Sequence, residues 1–351
     1  MKKQFLLVVM LVVLCLALVA CGAPAEESQD EQEPAAEEST IEMEPTVWTC
    51  VSYTDASSEH YAQQAAMCDA IYERTNGLLD IQIYSVGEFS FKGTDMLSVT
   101  SDRTVEMTIP SLSYIEGESI VSSIVEWPML ASTNEERQTV FDVLEPYLKA
   151  DFDAKGVEML GWWSTIGLGF YGKGDTPQTL ADLGGRKIRL YSVPITNVLL
   201  NYNVTPVSMT VAEVIPALQR GVVDAALTGC LYAYDMAWYE IVDWAYIMNI
   251  AGAANGIFVN SEAMSELPEE VQQIVREEVD NYHAVNIEYN ETKTQACIDG
   301  MAENGVDVVY CSEEDYAAAA ELAVAVWEEL AEAAGPTCQE ALAAVREALG
   351  K

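Results

Sequence analysis

The sequence contains few of the residues that catalysis and nucleic-acid binding need. Only two of its 351 residues are histidine, His60 and His283, and only 17 are Lys or Arg. Asp and Glu number 56, so the formal net charge is -39. Such a surface repels nucleic acid, whose binding needs basic residues that displace counterions. Two histidines also leave little material for Ser-His, Cys-His or His-ligated metal sites. The sequence therefore predicts no nucleic-acid partner and no metal site, and it offers little material for histidine-dependent catalysis.

The short motifs of cofactor chemistry are missing as well. There is no C-x-x-C pair, no phosphate-binding P-loop, no G-x-S-x-G and no H-E-x-x-H. Residues 167–172 have the glycine spacing of a dinucleotide fingerprint. They lie inside an aromatic, strand-like run, however, whereas the fingerprint opens a helix. No cofactor is therefore predicted.

The chain begins with two lysines and an apolar stretch over residues 5–19, which leads into Leu-Val-Ala-Cys at Cys21. A positive start, a short apolar centre and small residues at the end are typical of a secretory signal. About 15 apolar residues are few for a membrane span, which needs roughly 20. The last four residues resemble the lipobox of bacterial lipoproteins. That resemblance implies that residues 1–20 are a signal peptide and that a lipid on Cys21 anchors the exported protein to the membrane.

An acidic segment follows the signal. Residues 22–45 hold nine Asp or Glu and no Lys or Arg. Because such a segment repels itself and has little apolar surface to bury, residues 21–45 are predicted to form a flexible tether.

Six cysteines remain after the tether: Cys50, Cys68, Cys230, Cys297, Cys311 and Cys338. Export permits disulfides, and six thiols allow 15 pairings. The alternative for each cysteine is a small buried residue with a free thiol, and the sequence leaves this choice open.

From residue 47 onward, strand-like and helical patterns alternate. Apolar residues have helical spacing over residues 56–74 and 135–150, and short apolar runs such as 187–191 indicate strands. This alternation predicts an α/β fold with parallel sheets and helices on both faces. A further helical pattern over residues 268–305 would be about 55 Å long. That exceeds one small domain, so it predicts a strut that joins two lobes.

The most specific pattern lies in two neighbouring segments. Residues 182–190 read DLGGRKIRL, and residues 213–224 read EVIPALQRGVVD. These segments, with the run EWPML at 126–130 and the strand-like residues 156–163, resemble the substrate-binding proteins of tripartite ATP-independent periplasmic (TRAP) transporters. The resemblance extends over roughly residues 46–330.

This resemblance implies a two-lobed periplasmic-binding-protein fold, or Venus flytrap, in which one long helix spans both lobes. The first lobe is expected to comprise residues 46–166 and about 253–295, and the second residues 167–252 and about 296–351. The resemblance also implies an extracytoplasmic receptor without enzymatic activity. Such a receptor captures a small organic acid between its lobes and delivers it to the membrane subunits of the transporter.

The resemblance implies that Arg189 pairs with the ligand carboxylate, since a planar guanidinium offers two parallel N–H donors. Three positions depart from the family pattern. Gly169 stands where a second arginine is frequent, Val211 where an aromatic residue walls the pocket, and Thr228 where asparagine is frequent. Because a second buried charge would be poorly compensated, the ligand is predicted to carry one carboxylate on an apolar or aromatic body.

Four further residues are predicted to contact the ligand. Open α/β sheets bind ligands at the carboxyl ends of their strands, which favours Ser111 after the strand-like residues 105–109. Tyr and Trp can cover a ring and still offer a polar tip, which favours Tyr53, Trp163 and Tyr232. Core packing for the aromatic residues, and a turn for Ser111, are the alternatives.

Two other functions stay open from the sequence. The same receptor would serve equally well for a sensor protein or for another class of transporter. A surface hydrolase is the third possibility, and only the abundance of Asp and Glu favours it.

Overall fold

The structure is a computed structural model that describes residues 41–165 and 167–351. The predicted signal peptide, the lipid attachment at Cys21 and the tether up to residue 40 lie outside the described residues. Among the helices of the described ranges, none combines the length and hydrophobicity that a membrane span requires.

The described residues form eleven strands. In chain order they are β1 Thr46–Ser52, β2 Leu79–Ser85, β3 Met107–Ile109, β4 Val157–Thr165, β5 Leu168–Gly172, β6 Lys187–Leu190, β7 Thr205–Ser208, β8 Ala225–Gly229, β9 Trp244–Ile247, β10 Ala253–Asn260 and β11 Asp307–Tyr310. The helices are α1 Glu59–Arg74, α2 Met96–Ser101, α3 Ile120–Ser123, α4 Asn134–Asp153, α5 Val193–Leu199, α6 Val214–Arg220, α7 Cys230–Asp235, α8 Ser261–Ser265, α9 Glu269–Glu303, α10 Glu313–Ala334 and α11 Pro336–Leu349.

The strands belong to two sheets. A five-stranded sheet has the order β2-β1-β3-β10-β4, and a six-stranded sheet has the order β11-β9-β5-β8-β6-β7. We refer to the five-stranded sheet with the helices packed on it as the first lobe, and to the six-stranded sheet with its helices as the second lobe. The predicted two-lobed α/β fold is thus confirmed.

The sheets are mixed, so the prediction of purely parallel sheets is wrong. Strand β10 runs antiparallel to β3 and β4, and β5 runs antiparallel to β8 and β9. These two strands enter their sheet directly from the other lobe, through the short connections after β4 and β9. Successive strands of one sheet run parallel when a crossover connection, usually a helix, joins them. A strand that enters the sheet from the other lobe has no such connection and can run antiparallel to its neighbours.

Helix α9 joins the lobes. Its 35 residues make it about 50 Å long. Val275 and Val279 pack in the core beside the first sheet, whereas Ile298 and Met301 pack in the core of the second lobe. The long strut that the apolar pattern predicts is therefore present, and its two ends are buried in different lobes.

Several helices begin at a residue whose side chain caps the helix N-terminus. The side chain of Ser58 accepts a hydrogen bond from the backbone of Tyr61 at the start of α1, and Ser312 does the same for Asp315 at the start of α10. Such caps satisfy backbone donors that have no partner within the helix. Pro268 directly precedes the first turn of α9.

The six cysteines of the described residues are free thiols, and all except the half-buried Cys311 are buried. The predicted lobe boundaries stay a prediction, because the C-terminal helices pack against both lobes. Helix α11 packs against α4, and α10 packs against α5.

Candidate ligand-binding site

A cavity lies between the two lobes. Counted as the space open to the centre of a water molecule, its volume is about 50 Å³, so it accommodates only a small solute. Several of its walls come from the carboxyl ends of strands β4, β6 and β8. The lining consists of Tyr53, His60, Ser111, Tyr114, Thr165, Arg189, Tyr191, Val211, Thr228, Gly229, Leu231, Tyr232 and Ala253.

Arg189 is buried in this cavity at 1 % exposure. Its Nε donates to the carbonyl of Met209 at 2.9 Å, and its Nη1 donates to the carbonyl of Leu227 at 2.9 Å. Its Nη2 donates to the hydroxyl of Tyr114 at 3.1 Å. All three partners are neutral acceptors, which hold the guanidinium in one orientation without neutralising it.

Arg189 forms no salt bridge with any described carboxylate, whereas nine other pairs of the described residues do. A guanidinium has five N–H donors, so two remain on its terminal nitrogens after the three contacts above. A buried cation without a counter-ion is costly. An anion in the cavity would supply the missing charge and accept both remaining N–H groups.

Tyr114 links the two lobes at this point. It belongs to a short 3-10 helix, Leu112–Tyr114, which packs against β10 of the first lobe. Its hydroxyl accepts the N–H groups of Arg189 and of Val211, each at 3.1 Å. The cavity-lining arginine of the second lobe is therefore held partly by a tyrosine of the first.

Burial favours the uncharged form of three tyrosines and of the histidine in the lining. It raises the pKa of the hydroxyls of Tyr53, Tyr191 and Tyr232, and it lowers the pKa of His60 to about 4. Arg189 is the one Arg, Lys, Asp or Glu among the described lining residues. The cavity consequently has a single positive charge on an otherwise neutral, largely aromatic wall.

Six of the eight residues predicted from the sequence line this one cavity: Tyr53, Ser111, Arg189, Val211, Thr228 and Tyr232. Two do not. Trp163 is fully buried and packs edge-on against Tyr282 at 5.1 Å. Gly169 lies inside the second sheet between β8 and β9, where a Cβ would come within 2.9 Å of the carbonyl oxygen of Tyr246.

Several lining residues have no counterpart in the sequence prediction. Tyr191 follows Arg189 by two positions, and strand periodicity predicts that such residues face the same side, so the signal for Tyr191 was present. The guanidinium carbon of Arg189 lies 4.9 Å from the ring centre of Tyr191. Tyr114 and His60 are brought to the cavity by tertiary packing, and no local pattern marks them.

Two glutamates, the buried Glu126 and the half-buried Glu116, flank the cavity without lining it. Glu126 is fully buried, accepts hydrogen bonds from the side chain of Ser113 and the backbone of Ala254, and has its pKa raised to about 8 by that burial. Glu116 accepts the backbone N–H of Val193 in the second lobe at 3.1 Å, and burial raises its pKa to about 7. Neither carboxyl group contacts Arg189. Within the described ranges, no three His, Cys, Asp or Glu side chains are grouped in a way that could hold a metal ion.

A cavity between two α/β lobes joined by a long helix defines a two-lobed solute-binding receptor. The sequence matches the family described as "Bacterial extracellular solute-binding protein, family 7" (DctP) over residues 51–333. The chain therefore belongs to this family. Because its members are receptors rather than enzymes, the prediction that the chain is not an enzyme is confirmed, and the hydrolase alternative is wrong.

Similar proteins support the same fold. The 2,3-diketo-L-gulonate-binding periplasmic protein of Escherichia coli K12 is 25% identical over 263 residues, which cover 74% of this chain and 78% of that protein. A pyroglutamic acid-binding extracytoplasmic solute receptor of Bordetella pertussis has a TM-score of 0.80 at 22% identity, covering 86% of this chain and 99% of the other. A TRAP periplasmic solute-binding protein of Desulfovibrio salexigens with bound orotic acid has a TM-score of 0.79 at 20% identity, covering 86% and 98%.

Proposed function

We propose that this chain is the extracytoplasmic receptor of a TRAP transporter and that it captures a small monocarboxylate between its lobes. The observation that carries the proposal is Arg189. Its guanidinium is buried at the cavity, is oriented by three neutral acceptors, and has no carboxylate partner among residues 41–165 and 167–351. A ligand carboxylate would neutralise the guanidinium and accept two charge-assisted hydrogen bonds from it.

The charge of the lining limits the ligand to one carboxylate. Arg189 supplies one positive charge, and the tyrosines and His60 are neutral at physiological pH. A second carboxylate of the ligand would be desolvated without a cationic partner, which costs several kcal/mol. We therefore infer that dicarboxylates of similar size bind much more weakly than monocarboxylates.

The walls favour a compact body of mixed character. Four tyrosines line the cavity, together with Val211 and Leu231, and tyrosine rings cover flat or cyclic solutes well. The three similar proteins described above are named for pyroglutamic acid, orotic acid and 2,3-diketo-L-gulonate. Each of these compounds has one carboxylate, which agrees with the charge of this cavity.

The partner and the location form the remaining part of the proposal. The motif resemblance and the TRAP relative favour delivery to TRAP membrane subunits, and the Leu-Val-Ala-Cys sequence favours a lipid anchor at Cys21. Mass spectrometry of the protein from its native membrane tests the anchor: a diacylglyceryl group on an N-terminal Cys21 is expected. A chain that starts elsewhere, or a Cys21→Ala variant that stays membrane-bound, would contradict it.

The ligand proposal is tested on protein purified without denaturation. Native mass spectrometry should reveal a co-purified small acid, and thermal-shift screening should find stabilisation by monocarboxylates. Matched pairs such as benzoate against phthalate, and butyrate against succinate, isolate the effect of the second charge. Succinate or phthalate binding more tightly than its partner would contradict the single-charge site.

A further inference from the structure

His60 lines the cavity, and its ring contains an unpartnered polar atom. The residue is 4 % exposed and lies in the first turn of α1, on the wall that the first lobe contributes. Its Nε2 is buried and has no hydrogen-bond partner among the residues that the structure describes. Buried polar groups nearly always have a hydrogen-bond partner. An unpartnered imidazole nitrogen in a residue that lines the cavity therefore indicates that a polar group of the ligand is its partner.

The ring of His60 is held in place and stays neutral. It packs edge-on against Tyr289 of α9 with ring centres 5.6 Å apart. Burial alone lowers its pKa to about 4, with no charged neighbour contributing. Its position in the first turn of a helix also disfavours a positive charge. A neutral imidazole offers one donor and one acceptor, so it can pair with an uncharged polar group but supplies no charge that would compensate a second carboxylate.

His60 and Arg189 contact the cavity from different lobes. Arg189 is on β6 of the second lobe, whereas His60 is on α1, which packs against β2 of the first lobe. Among the fully buried side-chain atoms of the described lining, the other one without a partner is the hydroxyl of Tyr191, whose ring lies beside the guanidinium and therefore belongs to the carboxylate end. Of the residues that the first lobe contributes to the lining, His60 is thus the one whose buried polar atom lacks a partner.

We propose that His60 is a specificity-determining residue that selects monocarboxylates with an uncharged hydrogen-bonding group, such as a hydroxyl, lactam or amide, on the part remote from the carboxylate. This inference rests on the proposed function, because Arg189 must first fix the carboxylate. A ligand with an apolar body of the same shape leaves Nε2 of His60 without a hydrogen-bond partner. The resulting loss of affinity discriminates against that ligand.

Calorimetry with matched ligand pairs tests the inference. Each pair has the same shape and differs in the polar group: pyroglutamate and cyclopentanecarboxylate, 4-hydroxybenzoate and benzoate, 3-hydroxybutyrate and butyrate. For at least one pair the polar member should bind at least tenfold more tightly. His60→Phe, which keeps an aromatic ring, should reduce that ratio to about one while the apolar member binds as before. His60→Gln, whose amide reaches a position similar to that of Nε2, should restore part of the ratio.

The outcomes separate the two proposals. Retained binding of the apolar member shows that the His60 variants are folded, and circular dichroism provides a second check. If the polar preference is absent, or is the same in His60→Phe, the role of His60 is wrong while the monocarboxylate receptor stands. If no member of any pair binds, or if Arg189→Met binds all of them as tightly as the wild type, the proposed function itself fails.

Discussion

The hydroxyl of Tyr114 in the first lobe lies 3.1 Å from Nη2 of Arg189 in the second lobe and accepts its hydrogen bond. The same oxygen accepts the backbone N–H of Val211. One tyrosine therefore orients the cation of the site and connects the lobes on both sides of the cleft. Binding and lobe closure are expected to be coupled through this contact, because opening the cleft breaks both hydrogen bonds.

The first prediction concerns Tyr114→Phe. The variant removes one acceptor and leaves two N–H groups unpartnered in the closed state, which should cost about 1–3 kcal/mol. We expect ligand affinity to fall by roughly tenfold or more, measured by calorimetry with the co-purified ligand. Tyr72→Phe, at a tyrosine that is 48% exposed, is the control. Equal affinity of Tyr114→Phe and wild type would show that this contact plays no part in closure.

The second prediction concerns Arg189. Replacement by Met removes the charge, and loss of a charged hydrogen bond costs about 1.5–3 kcal/mol, or roughly 10- to 100-fold in affinity. Arg189→Lys should bind better than Arg189→Met but worse than wild type, because it keeps the charge and loses the planar pair of donors. The exposed Arg220→Met is the matched control. Thermal melting without ligand shows whether a variant has lost binding or has lost its fold. Unchanged affinity in Arg189→Met would show that Arg189 does not bind a carboxylate of the ligand.

The third prediction is a pH dependence of stability that arises from Glu126. Burial raises the pKa of this carboxyl from 4.5 to about 8. Between these values the folded protein holds a proton that the unfolded chain releases, so the contribution of Glu126 to stability falls as the pH rises through that window. Glu126→Gln cannot ionise. Its free energy of unfolding, relative to wild type, should therefore increase from pH 4.5 to pH 8 and stay level outside that range.

Urea unfolding of both proteins from pH 4 to pH 9 measures this difference. Other titrating groups, including Glu116, are present in both proteins and largely cancel. The exposed Glu145→Gln serves as the control. A difference that is also level for Glu126→Gln would mean that Glu126 has an ordinary pKa in the folded protein.

The fourth prediction concerns Arg137 on α4, a second buried arginine that lies outside the cavity. It is 1 % exposed, and its Nε and Nη2 have no hydrogen-bond partner. Burial lowers its pKa to about 10, so below that pH its charge destabilises the folded state. Arg137→Met should raise the midpoint of thermal unfolding by a few degrees, with Arg220→Met as the control. A lower midpoint would show that the guanidinium makes a stabilising contact after all.

The local pattern predicts helix α9 almost to the residue: a start at Pro268 and an end near Gly305, against an observed Glu269–Glu303. The prediction that Trp163 contacts the ligand does not agree with the lining of the cavity, although Trp163 lies on the face of β4 that leads to the cavity. Trp163 is two residues, or about 7 Å, further from the carboxyl end than Thr165, which does line the cavity. Its ring consequently packs in the core. How deep a side chain lies along a strand depends on what covers it, and the sequence of the strand does not contain that information.

The sequence by itself determined the elements that depend on neighbouring residues: the helix caps, the long apolar stripe of α9, and the KIR strand with Arg189. Those features follow from contacts a few positions apart in the chain. The tertiary structure alone decided that Arg189 has no acidic partner in the described part of the chain and that Tyr114 and His60 line the same cavity from the other lobe. Charge compensation and cleft geometry depend on residues far apart in sequence, because they arise only where the two lobes meet.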